Sequence, residues 1–183
     1  CAQIARLAAE GCQIIRVAVP DMEAAEALLP ITARSPIPVV ADIHFDWRLA
    51  VRAAECGAHA LRVNPGNIGG RENVQRVADA ARANGVPIRV GVNAGSLEKE
   101  LLETYGPTPE ALCRSALSHL AMLEQAHFYD AAVSIKASDV RTTVEANRLM
   151  AQKSDVPLHI GVTEAGTREM GIVKSAAGLG ALL

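Results

Sequence analysis

Six apolar, β-like runs in this chain each end on a group that can bind or transfer charge. They are Ile14-Ile15-Arg16-Val17-Ala18, Val39-Val40-Ala41-Asp42-Ile43-His44, Leu61-Arg62-Val63-Asn64, Ile88-Arg89-Val90-Gly91-Val92-Asn93, Val133-Ser134-Ile135-Lys136 and Ile160-Gly161-Val162-Thr163-Glu164. Arg16, Arg62, Arg89 and Lys136 are cations, whereas Asp42 and Glu164 are carboxylates, so these six groups carry a net +2 within a chain of net charge −2. His44, Asn64 and Asn93 follow Asp42, Arg62 and Arg89 at even spacing, which puts each pair on one face of an extended segment. A strand interior hosts an unpaired guanidinium only at a cost of several kcal/mol. Repetition at the same end of successive strands therefore predicts one shared anion site.

A lone arginine at a strand end commonly serves only to pair with a loop carboxylate. Three arginines, a lysine and two asparagines outnumber the two acids available to them, and guanidinium forks and amides match phosphate oxygens. The expected ligand is phosphorylated or a diphosphate. The Pro65–Gly70 stretch and the Ala94-Gly95-Ser96 turn can add backbone N–H donors, or act as plain turns. Glu164, an acid among cations, suits proton transfer or orientation of a hydroxyl, with simple charge pairing as its alternative role. His44 can donate to an anion or move a proton. His159, on the strand face opposite Glu164, is expected to be structural, and His59, His119 and His127 receive no role. Asp42-x-His44 is too sparse to specify a divalent ion, so no metal site is expected.

The elements that must position these groups alternate along the whole chain. Helices are expected over about 1–10, 21–34, 46–56, 71–84, 97–104, 109–126, 139–153 and 170–182, and strands over about 14–19, 38–43, 60–64, 87–93, 131–137 and 157–163. Asp21 and Thr108-Pro109 are helix starts, while Gly11, Gly57 and Gly85 are helix stops. This rhythm predicts parallel strands joined by right-handed crossovers. An open doubly wound sheet gathers its site at one switch point, but here every strand contributes at its C-terminal end, as in a (β/α)8 TIM barrel. About six of the eight strands are expected, with the first and last barrel strands absent from residues 1–183.

Composition narrows the class. Hydrophobic residues are 50% and aromatics 3%, so the core must be aliphatic. The mild negative charge gives no general attraction to nucleic acid or an anionic membrane. No stretch reads as a membrane span or a signal segment, which predicts a soluble, cytoplasmic protein. Cys1, Cys12, Cys56 and Cys113 form no C-x-x-C pair, so neither a disulfide framework nor a cluster site is expected among them.

Read as longer strings, Arg16-Val-Ala-Val-Pro-Asp, Val-Ala-Asp42-Ile-His44-Phe, Leu-Arg62-Val-Asn64-Pro-Gly-Asn-Ile-Gly, Ile-Arg89-Val-Gly-Val-Asn93-Ala-Gly-Ser-Leu-Glu-Lys, Val-Ser-Ile-Lys136-Ala-Ser-Asp and Leu-His-Ile-Gly-Val-Thr-Glu164-Ala-Gly carry a resemblance. From Cys1 to Leu183 the chain resembles the 4-hydroxy-3-methylbut-2-en-1-yl diphosphate synthases of the non-mevalonate isoprenoid pathway, with a local departure at Thr167–Gly171. The resemblance implies an N-terminal barrel followed by a domain bearing a 4Fe-4S cluster, which is absent here together with its cysteine ligands. It implies reductive ring opening of 2-C-methyl-D-erythritol 2,4-cyclodiphosphate with electrons from ferredoxin or flavodoxin, in a head-to-tail homodimer. It further implies that Arg16, His44, Arg62, Arg89, Asn93 and Lys136 hold the diphosphate, while Asp42, Asn64 and Glu164 line the carbon skeleton, Asp42 and Glu164 being the catalytic candidates. Without the cluster the 183 residues alone are expected to be inactive. Two other readings are a Schiff-base aldolase using Lys136 and a non-enzymatic module that binds a phosphorylated metabolite.

Overall fold

The computed structural model describes residues 1–183 in backbone and, apart from Ser96, in side chain. The chain divides into two compact units, Cys1–Arg89 with Ala121–Ala131, and Val90–Leu120 with Ala132–Leu183.

The first unit runs α1 (Ala2–Ala9), β1 (Ile15–Ala18), α2 (Met22–Thr32), β2 (Val39–Asp42), α3 (Trp47–Glu55), β3 (Ala60–Val63), α4 (Arg71–Asn84) and the start of β4 (Ile88–Asn93). Local chemistry sets these limits. Asp21 accepts from the Ala24 N–H at 2.8 Å and Asp46 from the Arg48 N–H at 2.9 Å, each satisfying a donor that the first helical turn leaves open. Gly85 closes α4 at φ +63, a left-handed conformation that a Cβ disfavours. β1, β2 and β3 are parallel, and their register sets Ala18 opposite Asp42 and Asp42 opposite Arg62. Backbone bonds from Leu61 N to Pro87 O and from Ile88 N to Asp130 O continue the pairing, and the strand order is β1-β2-β3-β4-β5. The core is aliphatic as expected: Leu28, Val39, Ala41, Leu61, Val63, Val74, Val77 and Ile88 are fully buried.

The second unit holds the rest of β4, a 3-10 turn over Ala94–Ser96, α5 (Lys99–Tyr105), most of α6 (Pro109–Gln125), β5 (Ala131–Lys136), α7 (Val140–Lys153) and α8 (Arg168–Gly180). Thr108 Oγ1 accepts from the Ala111 N–H at 3.3 Å, so the Thr-Pro helix start is present. Val90, Val133, Ile135, Leu112, Ala146 and Met150 form its core. The single buried residue of α8 is Gly178, where a Cβ would lie 3.0 Å from Val162 Cγ2; the helix approaches because the side chain is missing.

The expected sixth strand does not form, so the described chain has five strands and His159 lies outside any of them. Residues 157–163 make one isolated parallel bridge, Val133↔Leu158, with rungs at Val133 N to Pro157 O, His159 N to Val133 O and Thr163 N to Ala137 O. The reason lies on β5. Val133, Ile135 and Ala137 turn their backbone groups to the same edge, but the Ile135 carbonyl accepts from Asn147 Nδ2 at 3.1 Å and the Ala137 N–H is donated to Thr143 Oγ1 at 3.2 Å. Two buried side chains of α7 thus occupy positions that a regular ladder would use. Asn147→Ala should lower unfolding free energy by about 1–3 kcal/mol, because it strips a donor from a buried carbonyl; urea denaturation checks this, and an unchanged midpoint would contradict it.

Candidate functional site

In the first unit Arg16, Arg62 and His44 meet at Asp42, although Arg16 and Arg89 stand second in β1 and β4 rather than at the strand ends the sequence suggested. Its carboxylate, only 8% exposed, lies 3.1 Å from Arg62 Nη1 through Oδ1, and 3.4 Å from Arg16 Nε and 3.7 Å from His44 Nε2 through Oδ2. Parallel register explains the closest pair, since Asp42 and Arg62 are cross-strand partners. Arg62 is 15% exposed, whereas Arg16 and His44 are half-exposed. The carboxylate is therefore the buried hub, with Arg62 packed beside it and Arg16 and His44 reaching toward solvent. A buried carboxylate paired in this way orients guanidiniums that would otherwise splay apart.

Arg89 senses the same cluster. Burial, then repulsion from Arg16 and Arg62, pulls its guanidinium down to about 10, with Asp42 opposing. The group stays protonated at neutral pH, so this corner holds three positive guanidiniums around one carboxylate. An anion there relieves the repulsion as well as accepting hydrogen bonds. Asn64, 5% exposed, accepts from the Gly66 N–H at 3.1 Å through Oδ1 and so shapes the turn that follows β3, leaving its amide nitrogen as the donor end.

The remaining candidates lie in the second unit. Asn93 Oδ1 accepts from the Gly95 N–H at 3.1 Å and starts the 3-10 turn. Lys136 ends β5 with Nζ over Gly161, where a Cβ would stand 3.4 Å away. Glu164 has φ +49 and is followed by Gly166 at φ +90. A non-glycine residue in the left-handed region costs about 1–2 kcal/mol, a strain characteristic of functional positions.

One constellation escaped the sequence reading. His119 on α6, 3% exposed, places Nε2 2.7 Å from Glu98 Oε1, and Ser115 Oγ donates to the same oxygen at 3.0 Å. Burial depresses the His119 pKa, with Glu98 opposing. The only signal in the sequence was the i, i+4 spacing of Ser115 and His119, which does not reveal a partner on another element.

A mostly helical and β-alternating chain with cations on its strands falls in the class of α/β barrel domains. The GcpE TIM-barrel domain matches residues 1–183, and the chain belongs to that family. It is 60% identical over 182 residues to 4-hydroxy-3-methylbut-2-en-1-yl diphosphate synthase (flavodoxin) of Geobacter sulfurreducens, covering 99% of this chain and 52% of that protein. It is 57% identical over 182 residues to the protein of the same name from Maridesulfovibrio salexigens, covering 99% and 51%. The chain thus spans about half the length of the curated relatives it matches. Among solved structures, Thermotoga maritima phospho-2-dehydro-3-deoxyheptonate aldolase superposes with TM-score 0.66 at 14% identity, over 98% of this chain and 52% of that one. Yersinia pestis dihydropteroate synthase does so with TM-score 0.65 at 13% identity, over 98% and 76%. These likenesses are of fold.

An iron-sulfur cluster does not fit the residues described. No group of three or more His, Cys, Asp or Glu converges among them; Cys56 and Cys113 are buried, Cys1 is exposed and Cys12 half-exposed. Nor is any described helix long and apolar enough to cross a membrane.

Two outcomes follow from this electrostatics. Asp42→Asn should destabilise the fold by about 3 kcal/mol, since it leaves clustered guanidiniums without their counter-charge. The loss should shrink as salt screens the repulsion; denaturation at low and high ionic strength measures it, and a salt-independent loss would count against the hub. His119 is depressed in the folded state, so below about pH 6.5 the unfolded chain binds a proton that the folded chain does not, and stability falls. The stability gap between wild type and His119→Gln should narrow from pH 7 to pH 5.5. A constant gap would contradict the depressed value.

Proposed function

We propose that this chain is the substrate-binding barrel portion of a 4-hydroxy-3-methylbut-2-en-1-yl diphosphate synthase. The reaction takes 2-C-methyl-D-erythritol 2,4-cyclodiphosphate, two electrons and two protons to 4-hydroxy-3-methylbut-2-enyl diphosphate and water. The observation that carries this reading is the Asp42 hub: a cyclic diphosphate needs several guanidinium forks held at fixed angles, and a buried carboxylate with Arg16, Arg62 and Arg89 around it meets that need. Identity of 57–60% to relatives bearing that name supports the same assignment.

Arg16, Arg62 and Arg89 bind the diphosphate oxygens, with Lys136, His44 and the Asn93 amide as further donors. Asn64 donates its amide to a hydroxyl of the carbon skeleton. Asp42 is the catalytic candidate that acts chiefly by orienting its arginines. Glu164 is the carboxyl group suited to give the departing hydroxyl its proton, so that oxygen leaves as water. The electrons belong to a 4Fe-4S cluster, proposed to lie on the half of the relatives that this chain does not span, supplied by a donor of the flavodoxin type named in those relatives or by ferredoxin. Pairing of two such proteins head to tail and a cytoplasmic setting complete the proposal.

Calorimetric titration with the cyclodiphosphate tests it. Arg89→Ala should lose about 1.5–3 kcal/mol of binding, the range of a charged hydrogen bond. The 183 residues should bind without turnover when only a reductant is added. Undiminished binding by Arg89→Ala would refute the assignment of the diphosphate site, and turnover would refute the division of labour.

A further inference from the structure

Glu98 stands five residues beyond Asn93, where β4 gives way to α5. The connecting segment is fixed at both ends: Asn93 Oδ1 takes the Gly95 N–H at one, and the Glu98 carboxylate reaches Ser115 and His119 of α6 at the other. Apolar packing does little here. α5 has no buried residue and stands off from α6 across a cleft of about 600 Å³ lined by Leu101, Tyr105, Arg114 and Leu117. A further tie to α6 is Arg114 over the Tyr105 ring at 4.8 Å, and that arginine is half-exposed. Among the described residues, the Glu98 carboxylate is the buried polar anchor of the segment on α6.

That anchor is costly. Both donors converge on Oε1, while Glu98 Oε2 and His119 Nδ1 are buried without a hydrogen-bond partner. A neutral imidazole bearing its proton on Nε2 makes the bond and leaves only a bare acceptor at Nδ1; a second proton would strand a buried donor. A surface loop needing no definite position has cheaper fastenings. We propose that Glu98, gripped by Ser115 and His119, is a positioning residue that holds the Asn93 turn where the Asn93 amide can meet the ligand. This rests on the substrate-binding role assigned to Asn93 above, and Glu98 itself touches no ligand.

The test compares binding of the cyclodiphosphate by wild type, Asn93→Ala, Glu98→Ala, Glu98→Gln, Ser115→Ala and the Asn93→Ala/Glu98→Ala double variant. Circular dichroism and thermal melting serve as fold controls. Asn93→Ala and Glu98→Ala should each weaken binding by about tenfold, the scale of one hydrogen bond. The double variant should bind no more weakly than Asn93→Ala, a non-additivity that general destabilisation does not produce. Glu98→Gln, whose amide oxygen accepts the same two bonds, should retain affinity within about threefold. Ser115→Ala should fall between, and it carries the comparison if Glu98→Ala does not fold. Losses that multiply in the double variant, or a loss in Asn93→Ala with none in Glu98→Ala or Ser115→Ala, would overturn the clamp alone. Full affinity in Asn93→Ala would overturn the clamp together with the role of Asn93 on which it stands.

Discussion

One buried carboxylate organises the charged end of the first unit. Asp42 sits in parallel register beside Arg62, on a strand whose four residues are all buried. Ionised and enclosed, it would be costly alone; with Arg62 at 3.1 Å and Arg16 at 3.4 Å it is compensated, and it fixes the direction of both side chains. Arg89 is itself largely buried and sits near those cations, so burial first and repulsion second depress its guanidinium to about 10. A surplus of positive charge in a half-buried corner is a liability to the fold, and it is the feature on which the proposed anion site rests.

The second unit uses different devices. Asn93, Lys136 and Glu164 are set by a turn, a strand end and a left-handed residue, respectively. Here buried side chains take over backbone work. Asn147 and Thr143 satisfy β5, and the Glu98 carboxylate secures the turn after β4.

Much of this was legible in the chain. Apolar alternation located all five strands, because the polar and charged side chains keep to one strand face and leave the Val and Ile of the other intact. Asp21, Thr108-Pro109 and Gly85 marked helix limits because each meets a local backbone need that residue type alone expresses. The sixth strand was misjudged for a non-local reason: Leu158-His159-Ile160-Gly161 has a strand pattern, but side chains of α7 occupy groups on its would-be partner. Likewise, the convergence of Arg16, Asp42 and Arg62 followed from strand parity, whereas Asp42 as hub of the cluster required register. The Glu98–His119 pair could not be read at all, since twenty residues, including the whole of α5, separate its members.

Arginine side-chain NMR measures the central claim most directly. With Nε resonances assigned, titration by 2-C-methyl-D-erythritol 2,4-cyclodiphosphate should shift Arg16, Arg62 and Arg89 along one shared saturation curve while the exposed, ion-paired Arg48 and Arg141 stay in place. Signals from Arg16, Arg62 and Arg89 that remain still, or that drift no more than Arg48 and Arg141 do, would contradict a diphosphate site built around Asp42.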